Sequence, residues 1–192
     1  MLDPEDADMI IGDEDPAESS AIAHTSAWAL LGVEDEDFTA EAVQRLREVI
    51  ATEGVDSVAH LWSRSPEFTL PGALWRTFLL SEWVRRDTEL VRSRYRSGIA
   101  VTGEGEGGLD LVMTHVTALF EGQYTDDDLE AIFGACAQLL RTLATGENAH
   151  AEWIQDPHDP LAYPVTTRAQ ALLRTADELD EAAQRAHIGT LE

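Results

Sequence analysis

Leu129, Ile132, Phe133, Cys136, Leu140 and Leu143 return at intervals of three and four residues. On an α-helix that spacing gathers them on one face; on a strand it would scatter them over both. The same period runs through most of the chain, with helix signals between the periodic stretches. Thr39 is placed to cap a helix bearing Val43, Leu46, Val49 and Ile50, with Gly54 as its stop. A shorter helix with Val55, Val58, Leu61 and Trp62 must end near Ser65-Pro66, because the residue before a proline avoids the helical region. Thr69 opens the next, with Pro71 in the first turn, where a missing N–H costs nothing. Leu74, Trp75, Phe78, Leu79 and Trp83 share one of its faces, and Asp87 or Thr88 restarts helix towards Gly98.

Beyond Gly98 the pattern stops, and Ile99-Ala100-Val101-Thr102 is the one stretch that reads as a strand. A lone strand has no sheet to join. Helix resumes over Leu109, Val112, Val116, Leu119 and Phe120, and Thr125 with Asp128 forms a box-like cap ahead of the Leu129 stripe. A last helix, about 167 to 186, carries Leu172, Ala176, Leu179, Ala183 and Ala186, residues small enough for close packing within the domain or against a second copy. With 192 residues the chain is long enough for one domain with its own core. The expected fold is all-α: an irregular bundle of about six to eight helices over residues 23 to 192.

Charge divides the chain unevenly. The first 37 residues hold 12 of the 37 acids and no Arg, so the rest sets 25 acids against 13 Arg; there is no Lys. Asp3 to Glu18 is acidic and poor in large apolar residues apart from Met9, Ile10 and Ile11, too few to offset the entropy of ordering it, and residues 1 to 22 are expected to form a disordered arm. Ala27-Trp28-Ala29-Leu30-Leu31 is apolar enough to dock on the main domain. A net charge of −24 opposes direct binding to nucleic acid and attracts basic proteins. No basic, apolar leader and no long apolar run is present, so a cytoplasmic protein without a membrane segment is the expectation.

Arg85, Arg86, Arg92, Arg94 and Arg96 fall within twelve residues. They read either as an anion or partner site or as a solvated face paired with the chain's own acids; the interleaved Asp87 and Glu89 favour the second. Trp62, Trp75 and Trp83 have Arg64, Arg76 and Arg86 close in sequence, but their helical alignment favours core packing with Arg stems lying along it over a nucleic-acid platform.

Reactive motifs are weak. Gly103-x-Gly105-x-x-Gly108 has the spacing of a dinucleotide loop, but Glu104 and Glu106 would face a pyrophosphate and no parallel sheet is expected. Cys136 lies inside the apolar stripe, as a packed thiol does. His60 reads as a surface residue beside Asp56, and His115 as a hydrogen-bonded boundary residue. Between Gly146 and Val165 an irregular stretch concentrates Glu147, His150, Glu152, Asp156, His158 and Asp159, with Trp153, Leu161 and Tyr163 to pin it. Glu147-x-x-His150 is half of the motif that di-iron bundles use twice, and the second half is absent. His150, Asp156 and His158 could hold a divalent ion.

The function expected first is a non-enzymatic interaction or regulatory module that needs no cofactor. Met9, Ile10 and Ile11, set among acids, would contact a basic protein partner or the chain's own Arg85, Arg86, Arg92, Arg94 and Arg96. A metal-binding protein or metal-dependent enzyme using the 147–159 loop, and a nucleic-acid mimic, are the alternatives. Self-association through the C-terminal helix is compatible with each.

Overall fold

The computed structural model describes residues 16–33, 39–53, 55–103, 108–148 and 168–192. Among them are eight α-helices: α1 (Pro16–Leu30), α2 (Ala40–Thr52), α3 (Val55–Trp62), α4 (Leu70–Arg86), α5 (Thr88–Thr102), α6 (Gly108–Phe120), α7 (Leu129–Asn148) and α8 (Ala169–His187). A 3₁₀ turn, Asp126–Asp128, leads into α7. The all-helical expectation holds, and no strand occurs among the described residues.

Local chemistry sets the helix starts. The Thr39 hydroxyl accepts from the Ala42 N–H at 3.3 Å, and Thr69 accepts from Gly72 at 3.3 Å with Pro71 in the first turn of α4. At Thr125 the box closes: the Thr125 N–H donates to Asp128 Oδ2 at 3.0 Å, satisfying a donor that the helix start leaves open.

Two boundaries differ from the sequence reading. Ile99–Thr102 is the last turn of α5, and the helix stops at Gly103, whose φ of +79° is the left-handed conformation glycine tolerates. Gly98 continues the helix because its missing side chain is what lets the Thr142 carbonyl of α7 come close; a Cβ there would overlap it. The expected arm boundary at residue 22 also moves, since helix already exists from Pro16. Proline suits a first helical position and Glu18 suits the first turn. Ala23, Ala27, Leu30 and Leu31 are buried, so Ala27–Leu31 docks as expected. Residues 1–15, with Met9, Ile10 and Ile11, lie outside the described residues.

Helix α7 is the hub. It packs most extensively on α8 and next on α5. Both neighbours run antiparallel to it: Gly98 faces Thr142 while Gly146 faces the Arg94 carbonyl, and Glu130 meets His187 while Arg141 meets Asp177. Gly98 and Gly146 give the α5–α7 seam its close backbone approach. A second centre forms where α4 meets α1, α3 and α6. Trp62, fully buried, stacks near Phe120 at 6.4 Å, and Phe120 meets Phe78 edge-on at 5.9 Å. The Trp62 indole donates to Ser26 Oγ at 3.1 Å and Ser26 donates to the Ala23 carbonyl at 2.9 Å, so the polar atoms that come with this aromatic core are satisfied. No helix of the described residues is long and apolar enough to cross a membrane.

Candidate functional site

The Arg-rich stretch spans the end of α4 and most of α5, and each side chain has its own setting. Arg85 forms two hydrogen bonds to Glu82, at 2.7 and 2.9 Å, and this contact raises the guanidinium above its ordinary pKa. Arg86 meets Asp87 at 3.3 Å, Arg92 meets Asp110 of α6 at 2.9 Å, and Arg96 donates to the Arg92 carbonyl at 3.3 Å. These four are exposed.

Arg94 departs from the expected surface cluster. It is 2% exposed, with its guanidinium 5.4 Å from the centre of the Trp83 ring and 3.6 Å from Glu147 at the end of α7. An interior side chain cannot belong to an exposed partner face, so Arg94 leaves that group. The reason was in the stripe: Val91, Arg94, Tyr95, Gly98 and Ile99 share the buried face of α5.

Glu147, half of the Glu-x-x-His pattern, is thereby occupied. Burial is the largest influence on its carboxyl and pushes its pKa up, against the opposing pull of Arg94, the Ala169 amide and Arg168. The carboxylate joins α5, α7 and the first residue of α8. His150, Asp156 and His158 lie outside the described residues. No cluster of three metal-ligand side chains occurs among the described residues.

Other candidate reactive groups are also committed. Cys136 is fully buried, and burial pushes its thiol up to about 12. His115 Nδ1 lies 2.6 Å from the Tyr124 hydroxyl at the edge of α6, the boundary position expected of it. His60 is exposed. Of the glycine-rich motif, Gly103 caps α5 and Gly108 starts α6, while residues 104–107 lie outside the described residues.

Cations elsewhere follow the same rule. Arg76 and Arg174 share Glu178 at 2.6 and 3.0 Å, Arg141 bridges Asp177 and Asp180 at 2.8 and 2.6 Å, and Arg185 meets Glu181 at 2.7 Å. The two Asp contacts outweigh partial burial and raise the Arg141 pKa. Eight of the 13 Arg therefore lie within ion-pair distance of an acid of their own chain. Glu18, Glu41, Glu48, Glu53, Glu89, Asp126 and Asp127 are exposed with no cation at such a distance among the described residues.

One concavity stands out where α1, α2 and α3 meet. It measures about 560 Å³ and is lined by Glu18, Ser19 and Ile22 of α1, Leu46 and Val49 of α2, and Ser57, Val58, His60 and Leu61 of α3. Its apolar lining comes from Ile22, Leu46, Val49, Val58 and Leu61, and its polar lining from Glu18, Ser19, Ser57 and His60. Sequence reasoning passed over it because each helix alone reads as amphipathic; the gap exists only once the three are docked.

No protein family, characterised protein or solved structure matches this chain.

Proposed function

We propose that the protein is a non-enzymatic interaction module that binds a basic protein partner through its excess carboxylates. The observation carrying this reading is the internal use of positive charge: eight Arg are engaged by the chain's own acids, and the carboxylates left over face outward. Exposed ion pairs add little stability, and the carboxylates in excess of them keep the surface field negative. The acidic segment 1–15 adds seven further acids directly ahead of α1. Among the described residues, Cys136, Glu147 and His115 have structural duties. Cys136 is a buried neutral thiol, Glu147 faces Arg94, and His115 faces Tyr124.

Titration with polylysine at roughly 50 and 200 mM salt tests the reading, because the screening length about halves between those conditions. Affinity should fall steeply with salt, and deletion of residues 1–15 should weaken binding and flatten the salt dependence. Failure to bind at the lower salt refutes the proposal, and an unchanged affinity after the deletion removes the arm from it.

A further inference from the structure

We propose that the groove between α1, α2 and α3 is the docking site for a basic amphipathic helix of a partner protein. This rests on the interaction reading above and assigns that partner's place on the molecule. The groove encloses about 560 Å³. Ile22, Leu46, Val49, Val58 and Leu61 form its apolar floor, and Ile22 is left 48% exposed. Leu46 and Val58 are buried beneath the opening, while Ile22, Val49 and Leu61 keep part of their apolar surface uncovered, and these three can receive the i, i+3, i+4 anchors of another helix.

Charge selects the occupant. Glu18 stands on the α1 wall, and Glu53 is held at one end by the Ser57 hydroxyl, which donates to it at 2.8 Å. On α2, Arg47 turns inward to donate to the Leu30 carbonyl at 3.2 Å. A helix bearing Lys or Arg beside its apolar stripe meets opposite charge at Glu18 and Glu53. The chain's own Met9-Ile10-Ile11 would bring Asp6, Asp8, Asp13 and Glu14 against Glu18 and Glu53, like against like.

The test uses the full chain and a fluorescent peptide of roughly 18 residues, five helical turns, built from Leu, Ala and Lys with Leu on one face. A control peptide has the same composition with the stripe scrambled. The striped peptide should bind at least about tenfold more tightly, and Ile22→Asn should erase most of that advantage while leaving the scrambled peptide's weaker binding unchanged. Ile22 is exposed enough for the variant to fold, which its helical signal verifies. Glu18→Gln with Glu53→Gln should weaken the striped peptide about threefold to tenfold at low salt and less at high salt.

Equal binding of the two peptides, or indifference to Ile22→Asn, overturns the groove assignment and leaves the charge-driven reading standing. Binding of neither peptide overturns both. Replacing Met9, Ile10 and Ile11 with Ser should leave affinity unchanged; a rise identifies the chain's own arm as occupant and refutes the proposal. So does a dimer, seen by sedimentation, that Ile22→Asn dissolves.

Discussion

Removing the positive partner of the Arg94–Glu147 pair should produce a loss of stability that depends on pH in a calculable way. Arg94→Met keeps an unbranched stem over Trp83 but leaves the Glu147 carboxylate buried without its guanidinium. Breaking a buried pair from one side costs about 3–5 kcal/mol when the remaining charge has no escape. Here it has one, because a carboxylate can take a proton. From its ordinary value of 4.5, protonating Glu147 at pH 7 costs about 3 kcal/mol, at 1.36 kcal/mol per unit, and this caps the electrostatic part of the penalty.

The penalty should therefore be about 3 kcal/mol at pH 7 and fall below ~1 kcal/mol at pH 5. Urea unfolding followed by tryptophan fluorescence measures it directly. Glu147→Gln supplies the check. Since the folded pKa of Glu147 is raised, the folded state binds its proton more readily than the unfolded state. Wild type should then gain stability relative to Glu147→Gln as pH falls through the carboxylate range, and lose that gain as pH rises through it. The double variant Arg94→Met/Glu147→Gln should recover most of the single variant's loss. A loss that does not change with pH, or a double variant as unstable as Arg94→Met, would refute the assignment of the cost to a stranded carboxylate.

Gly146→Ala places a Cβ on the Arg94 carbonyl, so α5 and α7 must separate; calorimetry should show a loss of about 1–3 kcal/mol despite the better helix propensity of alanine. Thr69→Ala removes the cap of α4 and should cost about 1 kcal/mol in urea unfolding. Cys136, raised to about 12 from 9.0, should resist an aromatic disulfide reagent at pH 8 in the folded protein and react at once in urea. The stability gained by keeping that thiol neutral is complete below pH 9 and declines as pH rises through 9 to 12, a slope that Cys136→Ala should lack. Arg92→Ala, at an exposed pair, should change stability by less than about 0.5 kcal/mol, and Arg85→Ala should leave the urea midpoint where it is.

Much of the fold was legible because it is written in local rules. Thr39, Thr69 and Thr125 cap as their sequence context demands, and the stripe from Leu129 to Leu143 is the buried face of α7. Helix α1 was harder to see, since Ala17, Ala21, Ala23, Ala27 and Ala29 give little contrast between a core face and a solvent face. Gly98 misled for a related reason. A mid-helix glycine and a helix-ending one look alike in sequence, and only the Thr142 carbonyl on another helix tells them apart. Arg94 is the instructive case at the candidate site. Counting charge assigns it to a solvated cluster with Arg92 and Arg96, whereas helical phase puts it with Val91 and Tyr95 in the interior. The groove had no signal in any one segment, because it depends on how three helices dock.

The meeting of Glu147 with the Ala169 amide has a topological consequence. The stems on either side of residues 149–167 already touch, so joining α7 to α8 asks for no long bridge, and a short glycine-containing linker would close the hairpin at little entropic cost. The antiparallel pair owes its geometry to the seam between the two helices.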